Sequence, residues 1–433
     1  MPNARMHPQW TNDCGMFNNV REPIMNPATN ILVIFAITYL GLAMGRIPGL
    51  KLNRVGIALL GAIAAMIFGN VTIAQAVAYV NWPTVCLLFG FFVISAQLRL
   101  SGFYSLVAGG IAARLGHPAR FLFILMVVTG ALSAFLNHDI VCFVFTPIVA
   151  TALVRKQINP VPFLIALAIS SNIGAAATLI GNAQDMLIGQ TAHLQFGRYM
   201  LWSGVPVTFA MACAYGLIWW LSKNNLQLTQ PAATEGPEPA YAINRRHTIK
   251  GLLILAAVIG LFFSSLPAEI IALAAAGIHL ASPKFRTEDL LGLVDWPILV
   301  LFIGLFVVTG AFVSTGLGTQ AVTWLAHTGF NLNQPLNLTL STTVLTSLIN
   351  NSPTVMLLLK VVTPLTPTTA YILALANSFG GSLLIIGSVA NLIVVQQARD
   401  LGIKISFWDF TRLGLPVTLA ALAGLLVWVR LMS

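Results

Sequence analysis

Charge is what this chain has least of: only 8% of its 433 residues are Asp, Glu, Lys or Arg, where a soluble domain carries roughly a quarter. With 57% of residues hydrophobic, a water-exposed globule is excluded and the chain reads as a membrane protein. Cysteine is scarce too. Cys14, Cys86, Cys142 and Cys213 lie too far apart for a zinc site or a disulfide framework and read as small apolar packing residues. There is no Walker lysine motif, no HExxH, no CxxC and no Gly-x-Ser-x-Gly, which excludes an ATP-driven pump within this chain. No nucleophile–base pair marks an enzyme, and no cofactor or resident metal is expected. Residues 1–29 are polar and lack the basic, apolar and small-residue regions of a cleavable signal, so none is expected. The net charge of +10 raises nucleic acid as a partner, but Lys and Arg occur singly or in small groups between apolar segments, a pattern better explained by orientation in a bilayer.

What the chain does have is apolar runs near the length of about 20 residues that a helix needs to cross a bilayer. Candidate spans lie at about 30–45, 55–70, 83–100, 163–191 and 200–221, and again at about 250–264, 268–282, 297–314, 369–396 and 412–431. A polar linker, 223–249, separates the two sets. Two further stretches, about 120–154 and 336–365, are broken at their middles by Asn137-His138-Asp139 and Asn350-Asn351-Ser352-Pro353 and read as re-entrant hairpins. Charge placement checks the count. With the N-terminus outside, Arg5, Arg21, Arg198, Lys360 and Arg430 are the only outward exceptions among 22 basic residues. Both termini are then external and the linker cytoplasmic.

The halves are copies. At a shift of 214 positions Trp82-Pro83 falls on Trp296-Pro297, Leu87 on Leu301, Gly90 on Gly304, Phe92-Val93 on Phe306-Val307 and Gly102 on Gly316. Further along, Gly181-Asn182-Ala183-Gln184-Asp185 pairs with Gly387-Ser388-Val389-Ala390-Asn391, and Pro206-Val207-Thr208 with Pro416-Val417-Thr418. Five spans per half, an odd number, make the second copy enter from the opposite face. The expected fold is therefore an all-α integral membrane protein: about ten transmembrane helices plus two re-entrant hairpins in two inverted-topology repeats, 30–222 and 250–433. Inverted repeats with broken helices are the architecture of secondary transporters, with the substrate site at the repeat interface. A channel fits this symmetry poorly.

Polar interruptions at membrane depth locate the cavity, because irregular backbone is tolerated there only beside protein or water. There are four. The hairpin tips offer Asn137, His138 and Asp139 in the first copy and Asn350, Asn351, Ser352 and Thr354 in the second. The fourth spans break at Asn172, Thr178, Gly181 and Asn182, and at Asn377, Gly387, Ser388 and Asn391. Free N–H and C=O groups at half-helix ends, with amide side chains, suit a substrate site. Only Asp139 and Asp185 are carboxyl groups near mid-membrane, where ionisable residues are rare without function. With His138 they are the candidates for carrying protons.

Over essentially the whole apolar chain, these residues resemble the ion transporter superfamily of arsenite permeases, citrate and divalent-anion symporters, sodium/proton antiporters and the melanosomal P protein. The pieces that carry the resemblance are SNIGAAATLIGNAQDMLIG (Ser171 to Gly189), NNSPTV (Asn350 to Val355) and IIGSVANLI (Ile385 to Ile393). Within the group the chain is most similar to the arsenite and antimonite permeases, through Asp139 with Thr146-Pro147 and through the Asn-Asn-x-Pro-Thr-Val hairpin. His138 stands where Asn commonly precedes the aspartate, and Asp185 where Asn is usual. Divalent-anion symporters carry Ser-Asn-Thr in both tips; neither tip here does.

The resemblance implies a two-part machine of elevator type. Scaffold segments would be 30–101 and 250–316, and moving segments 119–222 and 336–432. It implies export of arsenite or antimonite across a bacterial-type cytoplasmic membrane in exchange for protons, in some members with a separate ATPase subunit. Arsenite near neutral pH is mostly the uncharged trihydroxide, which suits an amide-rich cavity. Thiol capture by Cys142 is disfavoured, because tight binding needs several thiolates and slows release. An organic or inorganic anion symporter, or a sodium/proton antiporter of the same fold, stays open as the alternative. So does the oligomeric state, a homodimer included.

Overall fold

A computed structural model describes residues 27–45, 52–114, 116–224, 244–282, 284–318, 320, 323 and 331–432. Of the sequence expectations, the polar segment 1–26 with Arg5, Cys14 and Arg21, the positions Arg46 and Lys51, and linker positions 225–243 lie outside the described residues. Among the described residues every regular element is helical. The first half runs α1 (Pro27–Met44), α2 (Arg54–Phe68), α3 (Ile73–Tyr79), α4 (Trp82–Leu100), α5 (Phe103–Ala112), the hairpin α6 (Pro118–Phe135) and α7 (His138–Arg155), the broken pair α8 (Val161–Ala175) and α9 (Ala183–Thr191), and α10 (Phe196–Ser222). The second half repeats the order: α11 (Arg245–Leu261), α12 (Ala268–Leu280), α13 (Thr287–Leu291), α14 (Trp296–Ser314), the hairpin α15 (Pro335–Ile349) and α16 (Asn351–Val361), the broken pair α17 (Pro367–Gly380) and α18 (Val389–Asp400), and α19 (Phe407–Met432).

Among the described residues six helices (α4, α6, α7, α10, α14 and α19) are each long and apolar enough to cross a membrane, and the shorter apolar helices join them. The chain is a multi-pass membrane protein whose ten spans and two hairpins form two inverted repeats. α8 is apolar all round until Ser170, Ser171 and Asn172 near its C-terminal end, and it lies at the centre, every residue from Pro162 to Ala175 buried. The last spans, α10 and α19, instead expose Leu201, Trp220, Val427 and Leu431 on the face a bilayer would cover. The short helices α3, α5 and α13 stand outside the ten spans read from hydropathy. They are too brief to cross and serve as shoulders between spans.

The repeat extends to single hydrogen bonds. Trp82 Nε1 donates to Val77 O at 3.2 Å, and Trp296 Nε1, 214 positions on, donates to Leu291 O at 2.9 Å. Asn81 Oδ1 caps α4 by accepting from Thr84 N, and Asp295 Oδ1 caps α14 by accepting from Ile298 N, both at 3.1 Å. Gly102 and Gly316 end the two spans at φ +80° and +75°, the left-handed region that favours glycine. Two crossings hold the first spans together, α4 on α12 and α14 on α2. Each turns on one glycine. A Cβ on Gly90 would lie 2.7 Å from the backbone of Ala272, and one on Gly304 would lie 3.0 Å from that of Ala58, its symmetry equivalent. Lipid tails are as apolar as Leu, so close backbone packing of this kind, rather than hydrophobic transfer, drives helices together in a bilayer. The remaining helices pack as a second symmetric set, α6 on α8, α15 on α17 and α10 on α19.

Candidate functional site

Four helix N-termini begin at the polar interruptions: α7 after Asn137, α9 after Asn182, α16 after Asn350 and α18 after Ser388. Three of the four N-cap side chains accept from their own helix's backbone: Asn137 from Asp139 N at 2.8 Å, Asn182 from Asp185 N at 2.7 Å and Ser388 from Ala390 N at 3.3 Å. Asn350 is the exception. It adopts φ +78° and ψ 162°, a strained pair of angles for a side-chain-bearing residue, and sends its amide across to Ile386 O at 3.0 Å.

Long-range hydrogen bonds tie the four interruptions into one buried centre. Asn172 Nδ2 donates to Asn391 Oδ1 and Ser388 Oγ donates to Asn172 Oδ1, both at 2.8 Å, joining positions up to 219 residues apart. The symmetry-equivalent crossing runs from Asn182 Nδ2 to Ser378 Oγ at 3.2 Å. The first tip meets the first break where His138 N donates to Gly181 O at 3.4 Å and Ser171 Oγ donates to His138 O at 3.3 Å. The second tip meets the first break through Gln184 Nε2, which donates to Ser352 Oγ at 2.5 Å. Both hairpins therefore end at the breaks, inside the protein. Asn377 accepts from Thr346 Oγ1 at 2.8 Å, and Thr178 Oγ1 donates to Ala134 O. These two residues fasten break to hairpin rather than pointing at the central crossing. Gly181 is a spacing residue: a Cβ there would stand 2.2 Å from Ala175 O.

Several polar atoms at this centre are buried with no hydrogen-bond partner: Asp139 Oδ1, His138 Nδ1, Gln184 Oε1, Asp185 Oδ1, Asn351 Oδ1 and Asn377 Nδ2. Each can hydrogen-bond a ligand, and the Asp and His atoms among them can take a proton. His138 Nε2 lies 3.5 Å from Asp139 Oδ1. Among the described residues no Lys or Arg is buried. The positive ends of four helices, the amide N–H groups and the Ser352, Ser378 and Ser388 hydroxyls attract electron-rich oxygen atoms. Such a centre can hold hydroxyl groups by donation and acceptance together, but among the described residues it offers no Lys or Arg to neutralise a polyanion.

Contacts that sequence reading missed join this centre to the outer helices. Tyr39 of α1 shares a 3.0 Å hydrogen bond with Thr309 of α14 and donates to Pro353 O, beside the second tip, at 3.4 Å. Gln190 Nε2 of α9 donates to Glu269 Oε2 of α12 at 3.2 Å. The Arg99 guanidinium lies 4.6 Å from the ring of Phe143 on the first hairpin. Gln190 and Glu269 also line a cavity of about 1170 Å³ that runs from Leu179, Ile180 and Met186 at the first break to the turn 262–267. No local signal marks these contacts. Gln184 lay within a repeated motif, yet its direction depends on the fold.

Two inverted copies, each with a hairpin and a broken helix meeting at one polar centre, define a secondary transporter. Known proteins narrow the class. The pattern of the citrate transporter family matches residues 31–376, and the chain belongs to that family. It is 31% identical over 433 residues to the 46 kDa membrane protein of Mycobacterium leprae (strain TN), covering 92% of this chain and 98% of the relative. It is 25% identical over 468 residues to the silicon efflux transporter LSI3 of Oryza sativa subsp. japonica, covering 90% and 95%. The crystal structure of the Alcanivorax borkumensis YdaH transporter, described as having an unusual topology, has the same fold, with a TM-score of 0.56 at 15% identity over 94% of this chain and 97% of that one.

Proposed function

We propose that this transporter exports a small, uncharged, hydroxylated inorganic solute of the arsenous or antimonous acid type in exchange for protons. One observation carries the reading: the centre where Asn172, Asn182, Ser378, Ser388 and Asn391 cross is built of amides and hydroxyls, and no Lys or Arg is buried among the described residues. Each hydroxyl of a trihydroxide both donates and accepts, and this centre returns both. The rice relative's name, a silicon efflux transporter, supports the same chemistry, since silicic acid is also an uncharged hydroxide. The family's name favours citrate as the second reading. A bare trianion would need cationic partners that the centre lacks.

In this reading Asn172, Asn182, Asn351, Ser352, Ser388 and Asn391 contact the solute. Asp139, with an unpartnered carboxylate oxygen and His138 beside it, takes up the proton. Closing the site over the solute removes water from Asp139, so its protonation and the conformational change are linked. The hairpins, broken helices and last spans (119–222 and 336–432) move as one body past 30–101 and 250–316, in a bacterial-type cytoplasmic membrane with both termini outside. No ATPase subunit is needed for exchange, and a homodimer is compatible with it.

Ligand protection tests the solute class. Purified protein should melt at higher temperature with arsenite or orthosilicic acid and be unmoved by citrate, succinate or sulfate, because only what binds the folded state stabilises it. Protection by citrate alone would replace this reading with the second one.

A further inference from the structure

The two breaks are equivalent but not identical, and the difference falls on one atom. In the second break, Asn391 Nδ2 donates to Gly381 O at 2.7 Å and to Leu384 O at 3.0 Å, pinning the loop between the half-helices. The residue 206 positions earlier is Asp185, and the carbonyls equivalent to Gly381 and Leu384 are those of Ala175 and Thr178. Among the described residues no side chain donates to either. Neighbouring carbonyls of the same loop are held: Tyr199 donates to Ala176 O and Ser203 to Ala177 O, each at 2.9 Å. Asp185 is fully buried. Its Oδ2 accepts from Asn182 Nδ2 at 2.7 Å, and its Oδ1 has no partner.

An ionised carboxylate has no donor to offer a carbonyl, and here one oxygen would sit charged, dry and unbonded. The neutral acid does what the amide does. One oxygen accepts from Asn182, and an O–H on the other is a donor for a loop carbonyl. We propose that Asp185 is a positioning residue held as the neutral acid, the stand-in for an amide that fastens the loop 176–181 and thereby sets Asn182 against Ser378. This rests on the breaks forming the transport site, but not on which solute passes. It also separates the two carboxyls: Asp139 exchanges its proton during transport, whereas Asp185 keeps one.

Infrared difference spectroscopy of wild type against Asp185→Asn, in lipid at neutral pH, tests this directly. The variant should lose a protonated-carboxyl C=O band while the ionised-carboxylate bands stay unchanged. Loss of carboxylate bands instead would overturn the proposal. In reconstituted vesicles, arsenite counterflow should persist within about twofold in Asp185→Asn, with its pH dependence intact, and fall about tenfold or more in Asp185→Ala, where the loop loses its fastening. Equal loss in both variants would also overturn it. If wild type moves no arsenite, the proposed solute fails while the infrared comparison still decides the state of Asp185. The same comparison decides it if Asp185→Ala does not fold.

Discussion

Replacing Asn172 with Ala cuts the central crossing at its middle. The change removes two hydrogen bonds of 2.8 Å, one to Asn391 Oδ1 and one from Ser388 Oγ, in a buried region. Asn391 keeps its bonds to Gly381 O and Leu384 O, and Ser388 keeps its bond from Ala390 N, so one acceptor and one hydroxyl proton are stranded. Interhelical hydrogen bonds in membranes are worth on average about 0.6 kcal/mol, and a stranded buried group costs roughly 1–3 kcal/mol. Two stranded groups at the low end of that range already cost about 2 kcal/mol, so the closed centre, and with it retention of the solute, should weaken by roughly 30-fold. The assay is solute counterflow in reconstituted vesicles for Asn172→Ala, Ser388→Ala and the double variant. Because Ser388 donates to Asn172, the double variant should be little worse than Asn172→Ala alone, with a coupling of at least about 0.5 kcal/mol. Additive losses would show that the two residues do not share one site.

Three other outcomes follow from the same geometry. Asp139→Asn should leave the protein folded and able to exchange solute for solute, while net flux no longer responds to an imposed pH gradient; an unchanged response would shift coupling to His138 or to sodium. Gly304→Val should lower thermal stability by about 1–3 kcal/mol, since its Cβ would press on the Ala58 backbone, while Gly204→Val, with nothing within 4 Å, should be near neutral; equal effects would refute the close crossing. With Cys14, Cys86, Cys142 and Cys213 replaced by Ser, cysteines at Arg246 and Ser264 should react with an impermeant thiol reagent from opposite sides, Ser264→Cys in intact cells and Arg246→Cys only in inverted vesicles. Labelling of both from outside would break the inverted count.

The ten spans and two hairpins were legible because a bilayer imposes a crude demand, a run of apolar residues of fixed length, that local composition records. The repeat was legible through Trp82-Pro83 and Trp296-Pro297, whose indoles make the same bond to the shoulder helix before them. The shoulder helices themselves were not. α3 and α13 are 7 and 5 residues long and carry no span-length signal. Amides at the breaks announced a polar centre, but pairing is a property of the fold. Nothing near Asn172 in sequence says that it meets Asn391 and Ser388, and nothing near Asn377 says that it turns to Thr346. Ser378, Gln184 and Tyr39 reach the centre only because helices distant in the chain bring partners to them.

The measurement that bears most directly on the central claim is uptake into inverted vesicles reconstituted with the purified protein, under an imposed gradient with the interior acid. Arsenite or orthosilicic acid should accumulate in wild type, scale with the pH gradient, saturate, and collapse when a protonophore dissipates the gradient. Accumulation of citrate with no flux of either hydroxide, or hydroxide flux indifferent to the gradient, would contradict the account.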